Sequence, residues 1–428
     1  MKTSAATFTD SLWHAQSDEP LPEADTPQDS DLVIVGGGFT GLSAALHFAQ
    51  SGRSVTVFEA REVGFGASGR NGGQVIPGFK YDPAAVLAKH GVEKGEALVQ
   101  LGASGPDMVF DLVRTHAIAC QPQRNGWIQA SHSETGLATI RTRAADWQAR
   151  GVVASVLDRD EMADMTGLSV YAGGWLDARA GQVQPLAYAR GLARAARAAG
   201  ARIVPHSPVT EVQRDADGWR VKTPNGQTRA GSVLIATGAY GDNTLVPGLA
   251  RTILPAQSNL IATAPMPDDI ARTVLPFGGC LSEIRKLAFY VRKTQDSRLV
   301  LGGRGAIGDI HGTGLQKALE KALRRMFPQL ATLPIAHAWS GQVGLTMDGW
   351  PHLHQPEPGL FTVQGYNGRG LALATATGAM IARHLRGDAP LVLPVTEPQP
   401  VAWHAVRGPV MRMGIGYYWM RDAMGFPG

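Results

Sequence analysis

The stretch "DLVIVGGGFTGLSAALHFAQSGRSVTVFEA", residues 31–60, constrains the fold of this chain more than any other. A short apolar strand runs into glycines, and Leu42, Ala45, Leu46 and Ala49 then recur at helical spacing until Gly52. A second β-branched strand follows, so the whole is a βαβ unit of about 30 residues. Gly36, Gly38 and Gly41 form G-x-G-x-x-G around Phe39 and Thr40, at the junction of strand and helix. The first glycine permits a tight turn, the second lets backbone approach a pyrophosphate, and the third allows close helix–strand packing. The helix start supplies free N–H groups and a positive dipole end for phosphates. Glu59, followed by Ala60 and Arg61, ends the second strand, where a carboxylate accepts hydrogen bonds from an adenosine ribose. A lone glycine fingerprint is weak, because a turn that only packs a helix on a sheet has the same letters. Both strands, the helix and the acid together indicate a dinucleotide, with NAD and FAD still open.

Elements of the same style return late in the chain. Residues 1–30 are polar, carry Pro20, Pro22 and Pro27, and read as an extended arm pinned by Trp13. Helices are predicted at 83–118, 134–150 and 185–200, strands joined by an Asp217–Gly218 turn at 201–226, and a buried strand at 231–241. Residues 250–310 are strand-like, 314–328 form an amphipathic helix, and 359–387 read as strand, glycine turn and helix. This order implies an α/β fold, α+β overall, in which a Rossmann-like domain is interleaved with a mixed β-sheet substrate domain. The expected boundaries are 31–80, 185–245 and 335–390 for the cofactor domain. The substrate domain and helical insertions take 81–184 and 246–334, and a tail takes 391–428.

Composition excludes several other functions. Apolar residues make up 44% and charged residues 18% of the chain, as in a globular protein with a full core. A formal charge of +4 on dispersed cations argues against nucleic acid as a partner. Cys120 and Cys280 form neither a disulfide framework nor a C-x-x-C motif, and a reducing, cytoplasmic setting fits them. The first 31 residues lack the apolar core of a signal peptide, and no run of about 18 apolar residues predicts a spanning helix. His352 and His354 in "DGWPHLH" read as ordinary strand histidines, and no metal site is predicted.

Just after Glu59 comes "VGFGASGRNGGQV", residues 63–75, too glycine-rich for a stable helix and too irregular for a strand. With it, the chain resembles the FAD-dependent amine and amino-acid oxidoreductases of the D-amino-acid oxidase/glycine oxidase/sarcosine oxidase superfamily. "GFGASGRNGGQ" is especially similar to members of the gamma-glutamylputrescine oxidoreductase and L-pipecolate oxidase types. "ATGAY" (236–240) and "GYNGRGLALATATG" (365–378) match as well. The resemblance implies FAD, held without a covalent bond because the flavin-linking cysteine of some relatives has no counterpart here. Gly69, Gly72 and Gly73 would let amides approach the flavin, and Ser68, Arg70 and Asn71 would add donors. Asn367, Gly368, Arg369 and Gly370 open a helix whose amides and charge would stabilise the anionic reduced ring. Gly238, Val209 and Gly341 are further implied cofactor contacts. An NAD enzyme has no need of this second site.

The implied reaction removes a hydride from carbon next to an amine nitrogen and yields an imine. Oxygen or another electron carrier is then the acceptor. Candidate substrates are gamma-glutamylated diamines, cyclic imino acids such as L-pipecolate, and N-methyl amino acids. Tyr290 and Arg292 alternate onto one face of a strand, and such a pair holds a substrate carboxylate in several relatives. Arg304 is a weaker candidate, and Trp127 or Trp339 would wall the pocket. Where some sarcosine oxidases place a lysine above the flavin, this chain has Val300, which puts efficient use of oxygen in doubt. The basic, methionine-rich tail at 403–428 could lie on a membrane surface, dock a partner or pack back on its own domain. Two rival readings stay open here: a flavin-bearing subunit without turnover, and an NAD-dependent dehydrogenase.

Overall fold

Ser30–Val35 forms the centre of a parallel sheet, with Val55–Phe58 on one side and Gly226–Ile235 on the other. This computed structural model describes residues 11–285, 287–304 and 313–424. Leu360–Gln364 extends the sheet parallel to Gly226–Ile235, and Arg202–Val204 extends it beyond Val55–Phe58. Leu32, Val33 and Ile34 are all 0% exposed, so the strand is covered on both faces and its apolar run is continuous. The parallel strands end along one edge, where Gly36, Gly238 and Gly365 follow them. Such an edge is where open α/β sheets bind ligands.

Two helices with distant origins pack together on this sheet. Phe39–Ala49 follows the first strand, and Gly370–Arg386 follows Leu360–Gln364. Gly378 permits their close approach, since a Cβ there would stand 2.4 Å from the Thr40 carbonyl oxygen. Ser43 Oγ donates to the Thr375 carbonyl at 2.7 Å across the same contact.

The second sheet runs Ile335–Leu345, Leu254–Thr263, Leu299–Arg304, Phe289–Lys293, Cys280–Glu283, Trp127–Ser131, Gly173–Asp177 and Ala154–Leu157. It is mixed, because Cys280–Glu283 pairs parallel to Trp127–Ser131 among otherwise antiparallel neighbours. Ile335–Leu345 lies within the stretch expected for the cofactor domain. It pairs with Leu254–Thr263 along the whole ladder and so belongs to the substrate-side sheet. A two-stranded ladder, Gln74–Val75 with Gly181–Gln182, anchors the end of the glycine loop. The helical stretch at 83–118 is three helices, the first stopped by Gly91 at φ 78°.

The arm is tied down by two carboxylates. Glu19 accepts from Arg194 at 3.0 and 2.9 Å and from the Ala119 amide at 2.8 Å. Asp25 accepts from Arg197 at 2.9 and 3.0 Å and from the Ile203 amide at 2.8 Å. Burial alone would raise both pKa values, but the arginine pairs and amides outweigh it and hold both below the ordinary carboxylate range. Acids depressed in this way stabilise the fold above their unfolded value of about 4, and the effect is lost as pH falls through the folded value. Acidification from about pH 5 to about pH 3 is therefore expected to release the arm ahead of the core. Limited proteolysis between residues 16 and 28 reads this, and an arm equally protected at both pH values contradicts it.

The tail helix Arg407–Ala423 has no buried residue among those described, and Met413 and Tyr417 are 68% and 51% exposed. Among the described residues no helix is long and apolar enough to cross a membrane.

Candidate active site

The fingerprint glycines make a cradle that side chains would fill. Gly36 has φ +116°, and a Cβ there would meet the Ala236 carbonyl at 2.8 Å; a Cβ on Gly41 would lie 2.1 Å from the Gly36 carbonyl. Gly38 faces Ser68 Oγ, which accepts from the Phe39 amide at 3.0 Å. The N-cap residue Gly38 offers no side chain to the helix Phe39–Ala49 and no acid lies in its first turn, so beyond the Ser68 bond the helix start keeps its positive end. Glu59 Oε2 accepts from the Gly37 amide and Oε1 from the Arg61 amide, each at 2.8 Å, with Ala60 between. Burial raises the pKa of Glu59, against the pull of these amides. The Ser207 amide donates to the Glu59 carbonyl at 2.8 Å and brings the segment of Val209, packed against the cluster that contains Phe58 and Trp219, to the same strand end. Gly238 has φ +53°, and a Cβ there would meet nothing within 4 Å. Bare glycines, a helix start without an acid and an oriented carboxylate fit a dinucleotide's diphosphate and ribose.

The glycine loop is organised by its own polar side chains. Asn71 Nδ2 donates to the Ala67 and Ser68 carbonyls at 3.0 and 2.8 Å, and Oδ1 accepts from the Gly73 amide at 2.8 Å. The side chain expected to reach the cofactor is thus folded onto its own backbone. Arg70 is 4% exposed, and it donates from Nε to the Phe65 carbonyl at 2.8 Å and from Nη1 to the Ser340 carbonyl at 3.1 Å. Gly341 leaves room for it, because a Cβ there would be 2.9 Å from Arg70 Cβ. Gly69 packs on the Gly64 carbonyl, Gly72 on the Tyr290 ring, and Gly73 on Val183 and Arg292.

At the rear, the Tyr366 hydroxyl bonds Thr40 Oγ1 at 2.8 Å and so ties the two helix starts together. Asn367, at φ +54°, donates to the Gly365 carbonyl and Thr346 Oγ1 and accepts from the Thr346 amide at 3.0 Å. Gly368 follows at φ +87°. Arg369 is the N-cap residue, and its guanidinium reaches the Pro77 carbonyl at 2.9 Å and the Trp127 ring at 5.4 Å. From Gly370 the helix again has no side-chain cap and no acid in its first turn.

Tyr290 and Arg292 share the strand face that meets the loop, but at different depths. Tyr290 is half-buried and its hydroxyl bonds Ser258 Oγ at 2.9 Å. Arg292 is 2% exposed, and its Nη1 donates to the Val183 carbonyl at 2.5 Å beneath Gly73. Burial pushes its pKa down to about 10. Arg292, expected to clamp a substrate carboxylate, thus lies covered by the loop at Gly73. Trp127 lines a small cavity with Trp147, Trp175, Arg143 and Arg369, whereas Trp339 meets the Trp13 ring and shares a buried cluster with Val300, which is 1% exposed. Cys120 and Cys280 are buried, and burial pushes both thiols up to about 12. Sequence reasoning missed Trp13 and Trp339 as loop contacts: their indole N–H groups donate to the Asn71 and Arg70 carbonyls at 2.8 and 3.0 Å.

Two helix starts with no acid in their first turns meet at one sheet edge and suit a cofactor long enough to reach both, as in the dinucleotide-dependent oxidoreductases. Residues 31–384 match the family model described as DAO, FAD dependent oxidoreductase, and the chain belongs to that family. It is 31% identical over 423 residues to the gamma-glutamylputrescine oxidoreductase of Escherichia coli (strain K12), covering 97% of this chain and 99% of that one. With the glycine oxidase of Bacillus subtilis (strain 168) it shares 24% identity over 82% of this chain and 92% of the relative. In fold it matches the crystal structure of glycine oxidase from Geobacillus kaustophilus, with a TM-score of 0.72, 24% identity and coverage of 85% and 96%. L-proline dehydrogenase from P. horikoshii matches with a TM-score of 0.71, 20% identity and coverage of 86% and 96%. The protein is an enzyme that oxidises a C–N bond by hydride transfer to FAD bound without a covalent link.

Proposed function

We propose that the substrate is an amine whose reacting carbon carries no carboxylate, of the gamma-glutamylated diamine type. The observation that carries this reading is the burial of Arg292. An α-amino acid or N-methyl amino acid needs a cation for its carboxylate beside the reacting C–H, and here the Arg292 guanidinium is turned under Gly73. The similarity to the Escherichia coli relative supports it too. The 3% of this chain left unmatched cannot contain either the arm or the tail.

Bound FAD supplies a two-electron acceptor, with oxygen or another carrier taking the electrons onward. The chain's own groups hold the amine and exclude water. Tyr290 and Ser258 offer a hydroxyl pair on the sheet face. Trp13, Trp339 and Val300 form an apolar cluster behind Tyr290. The amine must be bound neutral, so that its nitrogen lone pair can assist loss of the hydride.

Anaerobic bleaching of the purified yellow protein tests the reading. Gamma-glutamylputrescine is expected to reduce the flavin about a hundredfold faster than sarcosine, glycine or L-pipecolate at equal low concentration. Sarcosine or L-pipecolate bleaching as fast would overturn it.

A further inference from the structure

Three consecutive carbonyls of the glycine loop are held by donors from one cluster. Trp339 Nε1 donates to the Arg70 carbonyl at 3.0 Å, Trp13 Nε1 to the Asn71 carbonyl at 2.8 Å, and Arg292 Nη1 to the Gly72 carbonyl at 3.4 Å. The donors come from a strand of the second sheet, the arm and another strand, yet they touch. The two indoles meet edge to face at 5.5 Å, and the guanidinium lies 5.2 Å from the Trp13 ring.

Peptide geometry converts this into a direction. A trans peptide is planar, with its N–H antiparallel to its C=O, and the described residues contain no cis bond. Drawing the Arg70 and Asn71 carbonyls into the cluster therefore turns the Asn71 and Gly72 amides away from it. The flanking amides are already used: Arg70 N donates to the Ala67 carbonyl at 3.3 Å and Gly73 N to Asn71 Oδ1 at 2.8 Å. Among the described residues, Asn71 N and Gly72 N have no acceptor. Adjacent amides left open in a partly buried loop form a seat for electron-rich atoms. Arg292 adds a buried charge behind them, and among the described residues no carboxylate pairs with it.

We infer that Trp13, Trp339 and Arg292 are positioning residues that together turn the Asn71 and Gly72 amides toward FAD and raise its affinity for electrons. The arm is then part of the redox site. The inference requires bound FAD but no particular substrate, so it stands apart from the substrate reading above.

Sulfite adds reversibly to oxidised flavin, and its affinity reports the positive potential around the ring. Trp13→Phe and Trp339→Phe keep an aromatic ring and remove the N–H. In the holoenzyme each is expected to raise the sulfite dissociation constant about threefold, within the range for one lost hydrogen bond. Arg292→Met is expected to raise it about tenfold, which corresponds to about 30 mV for a two-electron couple. Arg292→Lys, which restores the charge, should recover most of that loss. Wild-type sulfite affinity and visible spectrum in both phenylalanine variants and in Arg292→Met would overturn the inference. The wild-type holoenzyme supplies a test that needs no variant. Anaerobic reduction should slow amide exchange across residues 70–73 at least about threefold, because the acceptor becomes more negative. Unchanged exchange overturns it equally.

Discussion

Gly41→Ala is expected to purify without colour, its FAD affinity lowered about a thousandfold. The added methyl would stand 2.1 Å from the Gly36 carbonyl oxygen and 3.0 Å from Ile34 Cγ2. Neither can yield cheaply: the carbonyl is main chain, and Ile34 is 0% exposed within the central strand. The helix start must move away from the strand end, taking with it the amides meant for the diphosphate. A thousandfold loss is about 4 kcal/mol, which is a few charge-assisted hydrogen bonds. Flavin absorbance per protein, followed by FAD titration of the apoprotein, gives the answer, with circular dichroism to confirm folding. Gly408→Ala is the control, because nothing lies within 4 Å of its added methyl. A yellow Gly41→Ala protein with FAD affinity within tenfold of wild type contradicts a cradle built on these glycines.

Gly378→Val is expected to destabilise the fold by about 3 kcal/mol through overpacking. A Cβ at Gly378 would already stand 2.4 Å from the Thr40 carbonyl and 2.9 Å from the Ala44 amide nitrogen. Both belong to the helix Phe39–Ala49, so the two helices must separate. Ser43→Ala, which removes only the bond to the Thr375 carbonyl, should cost about 1 kcal/mol. Urea midpoints read at constant slope separate the two. Equal midpoints for Gly378→Val and wild type would mean that the helices do not need this contact. Because Thr40 also bonds Tyr366 beside the second helix start, Gly378→Val should bind FAD more weakly as well.

The front of the site was legible because its physics is local. Strand, glycines, helix and Glu59 lie within one short segment, and each residue type is forced by its immediate neighbours. The rear helix was legible for the same reason. The middle was not, because strand alternation reveals which residues share a face but not what covers it. Tyr290 and Arg292 do share a face, yet the loop and the arm bury Arg292 fully and Tyr290 only in part. Asn71 looked like a donor to a ligand, and only the folded chain shows that its amide closes a turn with Gly73. Trp13 stands alone in a polar arm, and its partners lie at residues 71, 184, 292 and 339. Ile335–Leu345 is hard to assign from sequence because its small and polar residues suit either sheet, and only the fold shows its pairing with Leu254–Thr263.

The central sheet has a consequence for synthesis. Ser30–Val35, Gly226–Ile235 and Leu360–Gln364 lie side by side although they leave the ribosome far apart in time. A nascent chain has Val55–Phe58 early to pair with its first strand, but Gly226–Ile235 and then Leu360–Gln364 join the sheet only much later, and Trp13 waits for Trp339. FAD loading therefore follows translation of nearly the whole polypeptide, and a product stopped before residue 364 retains no competent fragment to be rescued by added flavin.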